Sequence, residues 1–317
     1  MKPRGERDSG FDPGAGVGPL FPPPYVDDEG AKAALLDVVR REPGLFGHTQ
    51  SRWTLTSLLR TCDWLKLDTL GGVSQLLDRL GIHLKRARTY LHSPDPDYVG
   101  KLALIGQCLL RTWCDPQRYV FLYLDEFTYY RQPTLASAYE AQGHVQPLAH
   151  FSYKSNTAWR VVGALNALTG QVTWQQHKTI GLAQLSRFYD TLQATYPEVR
   201  EIYVVQDNWP IHFHPDILAH LQPQTWQYPL HRPAHWKTQA RSTVVQANWP
   251  IRLLPLPTYA SWLNPIEKLW RWLKQEILHL HRSSDDWPGL KQRVAAFLNQ
   301  FLHGCDALLR YVGLLPD

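Results

Sequence analysis

The chain has 317 residues and 44% hydrophobic content, enough for two domains, or one large domain with an appendage, around a sizeable core. Its net charge of +5 fits a polyanionic partner without deciding for one. No apolar run approaches bilayer-spanning length and no hydrophobic signal core opens the chain, so a soluble cytoplasmic protein is expected. Cys62, Cys108, Cys114 and Cys305 have neither zinc-ligand spacing nor the density of a disulfide framework, which argues against both and for reduced thiols.

Residues 1–25 hold closely spaced Gly and Pro and end in FPPPY, which predicts a disordered leader. In DDEGAKAALLDVVRR, residues 27–41, acids lead, arginines close, and an apolar face lies between; this predicts a helix, stopped at EPG. Two more helices are predicted over 54–62 and 72–80, the second ending at Gly81. HLKRARTY follows, with Lys85, Arg86 and Arg88 interleaved with apolar residues as a basic wing or arm. Residues 26–97 thus read as a small all-α helix-turn-helix or winged-helix domain. Its 72–80 helix would enter a major groove, offering Ser74, Gln75 and Arg79, while Lys85, Arg86 and Arg88 hold phosphates. A plain three-helix bundle with a solvated basic edge is the alternative. An amphipathic linker helix is expected over 98–116.

RYVFLYLDEF then supplies a continuous apolar run suited to a central strand, with Asp125 at its C-terminal end. Residues 128–156 show no clear period. WRVVGALN and QVTWQQH flank a turn and predict a hairpin; a helix over 182–196 leads to REIYVVQDNW, a second apolar strand followed by Asp207. A helix is expected from Pro215, then an inserted loop over 222–241 rich in Pro, His, Gln and Trp. VVQANWPI at 244–251 echoes VVQDNWPI at 204–211, and the two read as similar strand-to-turn passages. After a last strand, IRLLPLP, a helix starts with Asn264 as N-cap, Pro265 at the first position and Glu267 at the third. Ile266, Leu269, Trp270 and Leu273 form its inward face. A final helix is expected within 286–317, packed as a lid or brace.

This order predicts an α/β domain over 117–285, a mixed sheet with flanking helices. If the strands at Val120 and Tyr203 are parallel neighbours, Asp125 and Asp207 converge at one edge and Glu267 can join them. Carboxylates forced together take up protons unless a cation neutralises them, and hard oxygen donors select Mg²⁺ or Mn²⁺. Two such ions about 4 Å apart suit phosphodiester cleavage. Strand alternation sends Glu126 to the opposite face from Asp125, so Asp125 is the expected ligand. Each acid also has a plainer role: Asp125 and Asp207 can cap turns, and Asn264 with Glu267 can form a capping box. Asn208, His212 and Asn264 are expected to support the acids, His212 by orienting phosphate or Asp207, and Lys274 to meet DNA or solvent.

LDE at 124–126, QDNWPIH at 206–212 and PLPTYASWLNPIEKLWRWLK at 255–274 resemble, in order, the three catalytic blocks of the IS630 transposases of the Tc1/mariner superfamily, within the DDE transposases and integrases. The resemblance implies an RNase H-like fold, Asp125, Asp207 and Glu267 as catalytic metal ligands, and an N-terminal helix-turn-helix for terminal inverted repeats. It further implies cut-and-paste transposition, commonly at TA targets, by a homodimer assembled on double-stranded DNA at the nucleoid. Two features depart from the family pattern. The 222–241 insertion lengthens the Asp207 to Glu267 spacing, and there is room for one helix-turn-helix before Pro116 where such transposases usually carry two. The latter raises the expectation of a further unit encoded upstream. Two other functions share part of this pattern: a DNA-binding protein whose α/β domain is non-catalytic, and a metal-dependent nuclease without strand transfer.

Overall fold

The computed structural model describes residues 27–85 and 93–316, and the chain divides into two compact units, 1–89 and 90–317. The expected leader and the arm residues Arg86 and Arg88 lie outside the described residues.

In the first unit three helices, α1 (Asp28–Val39), α2 (Leu55–Thr61) and α3 (Leu70–Arg79), each begin at a side-chain cap. Asp27 accepts the Gly30 N–H, Thr54 and Ser57 bond reciprocally, and Thr69 accepts the Gly72 N–H at 3.1 Å. The Thr69 cap starts α3 two residues ahead of the predicted Gly72. Ala31, Leu35, Leu58, Val73 and Leu76 close a shared core. On α3, Gln75 and Arg79 are exposed and Ser74 is half-buried; Arg79 pairs with Asp28 at 3.1 Å, and Lys85 is exposed.

The second unit opens with α4 (Tyr98–Cys114) and is built on a five-stranded mixed sheet of order β3-β2-β1-β4-β5: β1 (Tyr119–Tyr130), β2 (Ala158–Asn166), β3 (Val172–His177), β4 (Glu201–Gln206) and β5 (Ile251–Pro255). β1, β4 and β5 run parallel, while β2 pairs antiparallel with both β1 and β3. α5 (Leu182–Thr195) covers one face through Leu185, Phe188, Tyr189 and Leu192, which pack on Val120, Leu122 and Leu124. On the other face Phe121 and Tyr123 meet α7 (Ile266–Leu273), α8 (Trp287–Asn299) and α9 (Asp306–Val312). The odd and even positions of β1 therefore feed two cores, as a strand buried on both sides must.

Four expectations change. β1 continues through Tyr130, because its antiparallel ladder with β2 runs to Tyr130↔Ala158 after the parallel ladder with β4 has ended at Tyr123↔Val205. Asp125 therefore lies inside β1, not at its end. The helix at Pro215 is a single turn, α6 (Pro215–Leu218). Residues 244–250 form no strand; Val245 is exposed, and β5 begins only at Ile251. The C-terminal segment carries two helices instead of one, since α9 is capped by the Cys305 sulfur accepting the Leu308 N–H, an unusual capping residue. Among the described residues no helix is long and apolar enough to cross a membrane.

Candidate active site

The parallel ladder ends at Tyr123↔Val205, so two residues further on Asp125 and Asp207 stand at the same level of the sheet. The chain leaves β4 there, and Asp207 accepts the Trp209 N–H at 2.9 Å. The exits of β4 and β5 are tied together, with the Leu256 N–H donating to Gln206 O and Asn208 Nδ2 donating to Leu256 O at 2.7 Å.

α7 docks on this edge through two bonds to β1. Asn264 Nδ2 donates to Leu124 O at 3.0 Å, and the Trp270 indole donates to Asp125 Oδ2 at 2.9 Å. Trp270 also stacks on Phe127, with ring centroids 5.7 Å apart. It can come so close because the residue paired with Asp125 is Gly163, where a Cβ would lie 2.7 Å from the indole. Asn264 is extended and Pro265 already helical, as the sequence predicts, but the Asn264 side chain reaches β1 instead of capping the helix. The capping box is absent, which leaves Glu267 on the first turn of α7 facing the other acids.

Electrostatics show the acids acting on one another. Burial, then the charges of Glu267 and Glu126, push Asp125 up to about 8. Burial also raises Glu267, and Asp207 adds to it against the opposing charges of Lys274 and Arg271. Lys274 Nζ sits 5.6 Å from the centre of the Phe127 ring, beside this cluster. Asp207 goes the other way: burial pushes it up, but His212 and the Trp209 N–H outweigh that and hold it below the ordinary carboxylate value. His212 is wholly buried, its Nε2 3.4 Å from Asp207 Oδ1 and 3.6 Å from Glu126 Oε2, and neither ring nitrogen makes a hydrogen bond of good geometry. Burial disfavours its charge, yet Glu126 and Asp207 prevail and push it up to about 9.

The chain matches the DDE superfamily endonuclease family over residues 120–291, more than half of its length. It belongs to the DDE endonuclease superfamily. The chain is 26% identical over 265 residues to an uncharacterised 39 kDa protein of insertion element IS630 from Shigella sonnei, covering 81% of this chain and 67% of that protein. A crystal structure of the Mos1 mariner paired-end complex with Mn superposes with a TM-score of 0.59 at 17% identity, over 93% of this chain and 77% of that one. A Mos1 paired-end complex with Mg gives 0.56 at 16%, over 98% and 82%. The Mos1 strand transfer complex gives 0.55 at 17%, over 93% and 76%. At these identities the likeness establishes the fold, which is RNase H-like.

In this DDE chain the acids suit a divalent cation. All donors are hard carboxylate oxygens, Asp125 is driven toward its protonated form by burial and then by the charges of Glu267 and Glu126, and Glu126 Oε1 is buried without a partner. Among the described residues no group of three or more His, Cys, Asp or Glu side chains is arranged so that it could hold a metal ion. Asp125 is instead held by Trp270, and Asp207 by His212 and Trp209. Glu126 is the member that sequence reasoning set aside. Alternation does place it opposite Asp125, but that face holds His212, which links it to Asp207. Gly163 was missed too; its signal, a lone glycine in a strand-like run, points to a close approach.

Proposed function

We propose that this chain cuts a DNA element at its terminal inverted repeats and joins the freed ends to target DNA, commonly at TA. What supports this reading is that Asp125 and Asp207 each follow the last rung of the parallel ladder of β1 and β4 by two residues, and that Glu267 acts on Asp125 and Asp207 on Glu267. Asp125, Asp207 and Glu267 hold the divalent cations. When bound, those ions, two in this reading, supply Lewis acidity and lower the pKa of a water.

The residues of the chain do the positioning. Trp270 and Asn264 fix α7 on β1, so that Glu267 faces the two aspartates. The positive His212 steadies Asp207 from beneath. Asn208 fastens the turn after Asp207 to Leu256. Lys274, with Arg271 on the same helix, offers positive charge to the incoming phosphate. In hydrolysis a water oxygen bonds to phosphorus while the P–O3′ bond breaks, leaving a 3′ hydroxyl and a 5′ phosphate. In transfer that hydroxyl attacks a target phosphodiester and a target 3′ oxygen leaves, with no covalent link to the enzyme. Ser74, Gln75 and Arg79 read the repeat while Lys85, with Arg86 and Arg88, holds its backbone, and the chain works as a homodimer on DNA at the nucleoid.

The test is Asp207→Ala with labelled repeat-end duplexes. Repeat binding is retained and metal-dependent nicking is lost; nicking at the wild-type rate overturns the reading.

A further inference from the structure

Between Asp216 and Glu267 the chain contains no Asp or Glu over residues 217–266, although 28 acids are spread over 317 residues. The same stretch carries Arg232, Lys237, Arg241 and Arg252. Ahead of β5 it holds the 222–241 insert, and this part of the chain is fastened at several points. Trp226 packs edge-on against Phe213 at 5.7 Å, Trp236 against His214 at 4.7 Å, and the Trp249 indole donates to Asp190 at 2.7 Å. Buried Asp216 accepts both the Arg241 backbone N–H, at 2.9 Å, and its Nε, at 2.6 Å. That contact uses one nitrogen of Arg241, whose side chain stays 68% exposed and so offers the rest of its fork outward.

Arg232 and Lys237 are exposed and have no ion-pair partner among the described residues. Arg232 and Arg241 line a depression of about 450 Å³ together with Thr238, Gln239, Ser242 and Gln246, and no carboxylate lines it. Two guanidinium groups ringed by hydroxyls and amides are the donor set of a phosphate site, since arginine forks match phosphate oxygens. A small anion alone would not need the further cation at Lys237 or a stretch of chain from 217 to 266 free of acids. A polyanion would, because each nearby carboxylate weakens its binding.

We propose that the insert grips the phosphate backbone of duplex DNA, with one phosphate in the Arg232–Arg241 depression and the next contacts at Lys237. The proposal rests on the reading of the chain as a DNA-cutting enzyme and adds a sequence-independent grip. Its base at Asp216 is only nine residues along the chain from Asp207, so bound DNA is held beside the acids.

The test uses the full chain, with duplexes of two unrelated sequences titrated at several salt concentrations. Arg241 is left alone because it neutralises buried Asp216. Arg232→Gln/Lys237→Gln is expected to weaken both duplexes alike, on the order of tenfold, and to lower the salt slope by about two. Arg232→Lys/Lys237→Arg restores both quantities, and the thermal unfolding of both variants matches the wild type. Unchanged affinity and slope in the Gln variant, a loss confined to one sequence, or a wild type that binds neither duplex each overturns the proposal. Normal nicking by Asp207→Ala would instead remove the catalytic reading and leave the grip standing.

Discussion

Residues 204–211 and 244–251 read VVQDNWPI and VVQANWPI, differing only at Asp207 and Ala247, yet they fold differently. In the first, Val204 and Val205 are buried on β4 between β1 and β5, and the strand delivers Asp207 to the sheet edge. In the second, Val245 is 73% exposed, Asn248 has φ +55°, and the only pairing before β5 is the bridge from Trp249 to Leu221. Strand formation here is decided by neighbours on both sides, not by the residues themselves. Chemistry follows the same division, for Asp207 in the first passage acts on Glu267 while Ala247 in the second carries no charge.

The largest effect comes from exchanging the one differing residue. Asp207→Ala makes the first passage identical to the second, and nicking should fall at least about a thousandfold while the fold persists. Ala247→Asp makes the reverse change and should leave nicking within about twofold, because residue 247 lies outside the strands and the edge at which Asp125 and Asp207 stand. Strong nicking by the double exchange would break the comparison. Next in size is packing: Val204→Ala should cost about 2 to 3 kcal/mol in chemical denaturation, and Val245→Ala less than about 0.5 kcal/mol. Smaller again, Gly163→Ala forces a methyl against the Trp270 indole and should cost about 1 to 2 kcal/mol. It should also shift the near-ultraviolet signal of Trp270 and reduce nicking, since Asp125 loses its donor.

The β1 and β4 strands, which prove to be parallel neighbours, and the helix that carries Glu267 were readable because apolar runs leading into Asp and a Pro-led helix start are local signals. Other features depend on partners distant in sequence. The end of β1 is set by Ala158 across the hairpin, and the Asn264 side chain is claimed by Leu124 O, which no local capping rule reveals. Glu126 was assigned correctly to the far face, but the histidine waiting there comes from the turn after β4. The strand expected at 244–248 failed because its valines have no core to enter.

The raised Asp125 makes the central claim measurable without any DNA. Native Asp125, pushed up to about 8, keeps a proton at neutral pH that the unfolded chain, near 3.9, has released. The metal-free chain should therefore lose stability as pH rises toward 8, and His212, pushed up to about 9, contributes a loss of the same sign. A divalent cation must displace the Asp125 proton, so Mn²⁺ affinity should rise by up to about tenfold per pH unit until about pH 8. The decisive measurement is calorimetric titration of Mn²⁺ at pH 7 in buffers of different ionisation enthalpy, on wild type and Asp125→Asn. Wild type should bind with release of about one proton, and Asp125→Asn should bind far more weakly with none. Equal affinity and equal proton release in the two proteins would contradict the account.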